Sequence, residues 1–363
     1  MIKFIFIKAL VMFLLLITIL FICRRILANN MLKKHRIQSQ NGIDQELTIN
    51  IGGIEQYLYI RGQHTGNPVI LFLHGGPGIS MTPVLHTYQY EWEQDYTIVN
   101  WDQRNTGRTY FLNKKNAADV LATLSADRLV EDIHEITLYL AKRFNQQSII
   151  IMGHSWGTII GSMFVQRYPE LTKAYISISQ IVHLNEGAAL MAAEIRKKAL
   201  VQGESKDAEI LDRLQKGLHD SLKATEAAVL KMYKVAKKYI SYVEDSFIFI
   251  KAGIVSPYFS LRHLTYFLKM EKLQAPLSKY AMRYDLRKLP SNYHVPVIYM
   301  VGEYDLHFNY LLEKYYPLME APYKKLITIP NAGHNVMMDN PDHFNSAFQQ
   351  SLQELKQKTS LSH

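Results

Sequence analysis

Cysteine is all but missing: the 363 residues contain one, Cys23, at the end of an N-terminal apolar run. No disulfide can form within the chain, thiolates cannot build a zinc cluster, and the folded body has no cysteine nucleophile. Cysteine usage therefore leaves the redox compartment open. The body also lacks a charge excess. The formal charge of +9 sits mostly in residues 1–36, where Lys3, Lys8, Arg24, Arg25, Lys33, Lys34 and Arg36 are accompanied by no acid. Beyond them 34 basic side chains stand against 32 acidic ones, an ordinary surface that argues against a nucleic-acid partner. Internal repeats and low-complexity tracts are absent too. What is present, 48% hydrophobic and 20% charged residues, is the composition of a globular chain. Its length suits one large α/β domain with an insertion, or two ordinary domains.

Residues Ala9 to Cys23 carry no charge, and with Ile2, Phe4, Ile5, Phe6 and Ile7 the apolar stretch reaches the roughly twenty residues that span a bilayer. Lys3 and Lys8 can extend their ammonium groups to the headgroups. The expectation is a single-pass membrane helix with its basic flank, residues 1–36. A cleaved signal peptide fits less well, because no A-x-A-like site is present and bulky Phe21 and Ile22 precede Cys23, which also argues against lipoprotein processing. The flanking charge favours a cytoplasmic body, yet large domains translocate largely regardless of charge, so the side of the membrane stays open.

Glu46 to Ile51 and Glu55 to Ile60 alternate polar and apolar residues across Gly52-Gly53, a β-hairpin signal. Val69 to Leu73, Thr97 to Trp101, Ser148 to Met152, Ala174 to Ser179, Val295 to Val301 and Leu326 to Ile329 read as short buried strands. Between Ala126 and Phe144 the apolar residues Leu129, Ile133, Ile136 and Leu140 recur at helical spacing. Strands alternating with helices predict an α/β fold with a mostly parallel, doubly wound sheet. Residues 182–289 break the alternation with helical spacing in Ala188 to Leu200, Ala208 to Leu218 and Ala227 to Tyr239. They are expected to form a helical cap between core segments 45–181 and 290–358.

Gly153-His154-Ser155-Trp156-Gly157 joins the strand ending at Met152 to the helix-compatible run from Thr158 to Arg167. Strand, pinched turn and helix in that order make a nucleophile elbow, with Ser155 as the candidate nucleophile. Its Oγ would stand at the positive end of the following helix. His74-Gly75-Gly76-Pro77-Gly78 follows the strand Val69 to Leu73. A glycine-rich loop brings bare backbone close to a carbonyl oxygen as it becomes charged, so the oxyanion donors would be the N–H of Trp156 and that of Gly75 or Gly76.

The base must be one of fourteen histidines. His334 lies in the turn-rich Asn331-Ala332-Gly333-His334 loop after the strand Leu326 to Ile329, where nucleophile, acid and histidine chain order puts it. His74 and His154 read as structural parts of the oxyanion loop and elbow; His343, His307 and His263 read as surface or helix residues. Asp305, just past Val295 to Val301, is the candidate acid that would hold the imidazole tautomer. Glu303 is its close competitor. Asp339 and Asp285 are weaker, as a helix cap and a charge at the cap boundary. This chemistry requires no metal and no organic cofactor.

Trp101-Asp102-Gln103-Arg104-Asn105-Thr106-Gly107-Arg108 adds a polar loop after a strand. With His74 to Gly78 and Gly153 to Gly157 it makes the chain resemble the prolyl iminopeptidase-like serine hydrolases of the α/β-hydrolase superfamily. The resemblance covers about residues 45 to 355, strongly over the core and weakly over the cap, and excludes the membrane segment. It departs from the family pattern at Asn105 for Gly, Thr109 for Ser and His154 for a second Gly; asparagine tolerates a positive φ better than most residues. The resemblance implies the α/β-hydrolase fold with Ser155, Asp305 and His334 as nucleophile, acid and base. It also implies cap carboxylates for a substrate's free amine, for which Glu244, Asp245, Glu194 and Glu186 are available, each equally readable as a solvated helix face. The resulting expectation is a membrane-anchored serine hydrolase releasing N-terminal residues, proline among them, from short peptides. An ester or lipid substrate is the alternative, motivated by the anchor and the Met- and Tyr-rich cap. A non-catalytic scaffold is the third reading.

Overall fold

The strands form because short runs of β-branched and aromatic residues carry apolar side chains on both faces, so each must be covered twice. In the computed structural model, which describes residues 2–219, 222–240 and 248–360, this produces one eight-stranded sheet between two helical layers. In chain order the strands are β1 (Ile43–Ile51), β2 (Ile54–Gly62), β3 (Val69–Leu73), β4 (Thr97–Asp102), β5 (Ile149–His154), β6 (Thr172–Ile178), β7 (Val297–Gly302) and β8 (Lys324–Ile329). The helices are α1 (Ile2–Lys34), α2 (Gly107–Leu112), α3 (Ala117–Ala122), α4 (Ala126–Arg143), α5 (Trp156–Arg167), α6 (Leu184–Val201) and α7 (Ser205–Lys216). They continue with α8 (Leu222–Ala236), α9 (Ile248–Val255), α10 (Leu261–Ala281), α11 (Leu306–Tyr315), α12 (Val336–Asp339) and α13 (Pro341–Ser360).

The strand order is β1-β2-β4-β3-β5-β6-β7-β8. β1 and β2 are the expected hairpin, and β2 meets β4 antiparallel, while β4 to β8 run parallel. The order reverses at β3, which pairs with β4 on one side and β5 on the other. Ligands in such sheets bind beyond the carboxyl ends of the strands, near that reversal.

Alternate residues of β3 serve two cores. Val69, Leu71 and Leu73 pack with Leu129, Ile133, Ile136 and Leu140 of α4 and with Ile159, Ile160 and Phe164 of α5. Ile70 and Phe72 face Trp92 and, on α13, Phe344, Phe348 and Leu352. Each such side chain contributes roughly 1.5–3 kcal/mol by leaving water. α4 begins where Ser125 Oγ accepts the Arg128 N–H at 3.0 Å, a cap worth about 1 kcal/mol. It ends at Asn145, which takes the left-handed conformation (φ 51°).

Between β6 and β7 the chain leaves the sheet for α6 to α10. Ala188, Met191, Ala192 and Ile195 of α6 form a separate core with Leu211 of α7, Met232 and Val235 of α8, and Leu306 of α11. At the N-terminus α1 is one continuous helix of 33 residues, about 50 Å long at the helical rise. Its apolar side chains from Phe4 to Ile22 are exposed, and it is long and apolar enough to cross a membrane.

Candidate active site

At the end of β5 the chain must reverse within one residue, because α5 packs back against the strand that precedes it. Ser155 is that residue and takes φ 52°, ψ −118°, a conformation that side chains rarely adopt and that tight neighbours must hold in place. The glycines on either side are required by space. A Cβ on Gly157 would stand 2.0 Å from the Leu73 carbonyl oxygen, and one on Gly153 would stand 2.7 Å from the Gly157 carbonyl oxygen.

His334 enters on the loop after β8. Its Nε2 lies 2.9 Å from Ser155 Oγ, and its Nδ1 lies 3.2 and 3.1 Å from the two carboxylate oxygens of Asp305. With Nδ1 donating to a carboxylate, Nε2 is left to accept from the serine hydroxyl. Asp305 is fully buried at the N-terminal end of α11, whereas the imidazole retains 27% exposure. Glu303 is turned away and accepts the Asn331 N–H at 3.0 Å. The structure thus brings Asp305, and not Glu303, to the histidine. Phe308 stacks on the His334 ring at 4.5 Å between centroids, fixing its plane.

The glycine-rich loop runs along the other side of the serine. A Cβ on Gly75 would stand 3.2 Å from Ser155 Cβ, and Gly76 turns at φ 115° before the cis Gly76-Pro77 bond. Among the described residues the backbone N–H groups of Gly75, Gly76 and Trp156 have no acceptor; that of Trp156 heads α5, where the first turn's donors have no intrahelical partner. Bare donors beside a serine Oγ are what a developing oxyanion needs.

Residues to which the sequence assigned no role tie these loops together. Gln103 donates from Nε2 to the His74 carbonyl (3.0 Å) and from its backbone N–H to His74 Nε2 (3.2 Å), and its Oε1 accepts the Trp156 indole N–H (3.2 Å). The tautomer of His74 follows, since its Nδ1–H must donate to the Gly75 carbonyl at 2.9 Å. Asp102 receives Ser80 Oγ and the Arg108 N–H. Arg104 is buried and paired bidentately with Asp132 at 2.9 Å, and Asn105 takes the positive φ (59°) that its loop demands. From the insertion, Tyr266 and Gln274 of α10 donate to the Gly78 and Asn105 carbonyls, both at 2.8 Å. The W-D-Q-R stretch was a visible signal for Gln103; nothing local marked Tyr266 or Gln274.

The remaining histidines divide by contact. His154 is buried and its Nε2–H donates to the His334 carbonyl at 3.0 Å, clamping the histidine loop to the elbow. Burial, then the neighbouring His334, hold its pKa down to about 4, so it stays neutral. Burial also lowers His74 and His307. His307 is a helix residue, as expected, in the first turn of α11; it donates to the Leu184 carbonyl at 2.7 Å and lines the cavity beside His334. His263 belongs to the first turn of α10, and His343 lies exposed in the first turn of α13, where its Nδ1 stands 3.0 Å from Asn340 Oδ1. Asp339 also differs from the expectation of a helix cap; its Oδ2 accepts the Gly333 N–H at 2.9 Å and supports the loop of His334. Asp285 starts a short 3-10 turn and pairs with Arg287 at the boundary of the insertion, as expected of it.

A cavity of about 210 Å³ opens onto His334. Val229, Leu230 and Ile240 supply apolar walls, with Tyr233, Tyr304 and Phe308, and Lys237 is the charged residue among those lining it. Of the cap carboxylates, Glu186 pairs with Arg287 and Glu194 with Lys197; Glu244 and Asp245 lie outside the described residues.

Comparison with known proteins follows the same lines. A family model described as the alpha/beta hydrolase fold matches residues 68–341. The probable aminopeptidase YbaC of Bacillus subtilis is 26% identical over 303 residues, covering 82% of this chain and 92% of that protein. Among solved structures, VinJ aligns with a TM-score of 0.59 at 16% identity, over 86% of this chain and 99% of that one. The proline iminopeptidase of Mycobacterium smegmatis aligns with a TM-score of 0.58 at 15% identity, over 85% and 98%. A match that runs from just before β3 past the histidine loop leaves one conclusion: this chain belongs to the α/β-hydrolase family.

Proposed function

We propose that the protein is a membrane-anchored serine hydrolase whose nucleophile, base and acid are Ser155, His334 and Asp305. The observation that carries this is the unbroken hydrogen-bond relay from Ser155 Oγ through His334 Nε2 and Nδ1 to both oxygens of buried Asp305. In the first step His334 removes the hydroxyl proton as Oγ attacks the substrate carbonyl, and Asp305 steadies the imidazolium. The N–H of Trp156 and those of Gly75 or Gly76 receive the oxyanion. His334 then protonates the leaving group, and water, activated by the same imidazole, releases the acyl-enzyme.

For the substrate we infer the N-terminal residue of a short peptide, supported by the likeness to the probable aminopeptidase of Bacillus subtilis. The helical insertion would act as the cap over the acyl site, and α1 would be the single membrane span. A second reading, hydrolysis of an ester or lipid, is favoured by the cavity beside His334, whose walls are apolar and whose charged residue is a lysine. A free amine finds no counter-charge among those lining residues, whereas a hydrocarbon chain does not need one.

The test is labelling of the detergent-solubilised full chain with a fluorophosphonate, comparing wild type with Ser155→Ala and His334→Ala. Labelling of the wild type that both variants lose supports the activated serine; a folded wild type that does not react points to the scaffold reading. Proline released from dipeptides, with p-nitrophenyl esters left intact, supports the peptidase; the reverse pattern supports the esterase.

A further inference from the structure

Arg24 is the first charged residue after the run Ala9 to Cys23, so it marks the height at which α1 leaves the hydrocarbon. Its guanidinium is committed to the insertion. Nε donates to the Ile254 carbonyl at 2.9 Å, and Nη2 donates to those of Ser256 (3.1 Å) and Phe259 (2.8 Å). These carbonyls end α9 and lead into α10, where a cation is favoured by the helix dipole. α1 is therefore no free tether, and the α9 to α10 turn is held level with the end of the span.

Beyond Arg24 the helix continues ten residues, about 15 Å, with Ala28 buried against the body. His35 then stacks on Tyr90 at 3.9 Å, and its carbonyl accepts from Arg61 at 2.7 Å. Nearby, Gln38 and Ser39 bond Gln63 and His64, and the His64 carbonyl accepts from Thr97, the first residue of β4. The helix thus descends from the insertion to the amino ends of the parallel strands. Their carboxyl ends, which carry Ser155, Asp305 and His334, are the end toward the membrane.

At that end a group of large apolar side chains is exposed. Ile250 and Ile254 on α9 are 58% and 57% exposed; on α10 Leu261, Leu264, Phe267 and Leu268 are 74%, 52%, 44% and 87% exposed. Positions 261, 264 and 268 recur at helical spacing and form one stripe. The opposite face of α10 is buried through His263, Tyr266, Leu273 and Gln274. Exposed Arg262, Lys269 and Lys272 share the outer surface, as on helices that lie in a headgroup layer. Isolated surface leucines need no explanation, but a run of six beside a membrane-spanning helix does.

From these observations we infer that the outer face of α9 and α10 is a second membrane-contacting surface, seated in the headgroup and acyl boundary of the leaflet where α1 emerges. This rests on the reading of α1 as a membrane anchor. The occupant is the phospholipid leaflet itself, because the face is continuous with the span through Arg24 and sits at its exit. Tyr266 and Gln274 on the inner face of the same helix hold the loops around Gly78 and Asn105, so the membrane-seated helix is also the support of the glycine-rich loop. The site then opens beside the leaflet.

Cys23 is the one native cysteine, which makes site-directed probes simple. In a Cys23→Ser full chain, single cysteines replace Ile254, Leu264 or Leu268. Leu15→Cys in mid-span and Gln147→Cys, exposed just before β5, are the references. Each is labelled with bimane, reconstituted in phosphatidylcholine and phosphatidylglycerol vesicles, and quenched with lipids bearing a doxyl group at a shallow or a deep carbon. Emission of the buried Trp92, Trp101 and Trp156 verifies that each variant is folded. The expected result is at least a twofold quench of positions 254, 264 and 268 by the shallow label, of position 15 by the deep label, and none at position 147. Quenching at 15 with 264 and 268 behaving like 147 overturns the proposal and leaves the anchor standing. No quenching at 15 overturns both.

Discussion

Acidification should destabilise this protein through His154, and the size of the effect follows from its surroundings. The ring is buried, donates Nε2–H to the His334 carbonyl and has a buried Nδ1 with no partner among the described residues. A proton on Nδ1 would place a cation in a dry pocket 5.1 Å, ring centre to ring centre, from His334. Burial is the larger effect and the His334 charge the second; buried Asp305 opposes them and His74 adds slightly to them. The folded value is about 4, against 6.5 for a free histidine. Between those two pH values the unfolded chain takes up a proton that the folded chain refuses, so stability falls as pH falls, and above pH 6.5 the contribution is complete. At about 1.4 kcal/mol per decade the whole effect is about 3 kcal/mol, and about 2 kcal/mol of it is gone by pH 5. The assay is urea unfolding of the detergent-solubilised chain at pH 7 and pH 5, followed by tryptophan emission, for wild type and His154→Gln. Glutamine can still donate to the His334 carbonyl but does not titrate, so the variant should lose about 2 kcal/mol less than wild type between the two pH values. His86, also held near 4 by burial, titrates in both proteins and cancels. Equal losses in the two proteins would refute the reasoning.

Other perturbations read different parts of the site. Asp305→Asn should lower kcat about ten-thousand-fold by presenting the wrong histidine tautomer, whereas Glu303→Gln should stay within about threefold, since its carboxylate is turned to the Asn331 N–H and not to His334; steady-state kinetics on any substrate found active decides. Gly157→Ala should cost at least about 3 kcal/mol or prevent folding, because the new Cβ meets backbone at 2.0 Å, while Gly217→Ala, with nothing within 4 Å, should stay within about 0.5 kcal/mol in urea unfolding. If the substrate presents a free amine to the cavity beside His334, Lys237→Glu should raise kcat/KM for aminoacyl substrates about tenfold, the equivalent of about 1.4 kcal/mol, and leave neutral esters unchanged. No gain with the aminoacyl series would place the amine elsewhere.

Much of the architecture was legible because it is encoded over short distances. The strand β3, the helix α4 and the hairpin of β1 and β2 follow from period and turn residues, and they fall within a few residues of where the pattern puts them. The helical insertion was legible as a break in that alternation, but α9 and α10 were not separated within it, since Ile248–Val255 is short and apolar apart from Lys251, and α10 carries Pro276 in its interior. The pocket walls escaped for a related reason. Val229 and Leu230 read as ordinary helical residues, and only the placement of the insertion turns them toward His334.

Alone, the sequence determined the elbow, the glycine-rich loop and the apolar N-terminal helix, because each is a local demand: a positive φ at Ser155, bare backbone at Gly75 and Gly76, and a run with no charge to solvate. For the acid it put Asp305 first, with Glu303 as close competitor on the same turn and Asp339 and Asp285 behind them. Tertiary structure brought only one of these four to the imidazole, since the loop of His334 reaches Asp305 from 29 positions away and Ser155 from 179. It also decided that Gln274 props Asn105 across 169 positions and that Arg24 grips α9 and its following turn across 230 or more. Contacts at such separations depend on how helices and sheet pack together, which no local pattern of residues encodes.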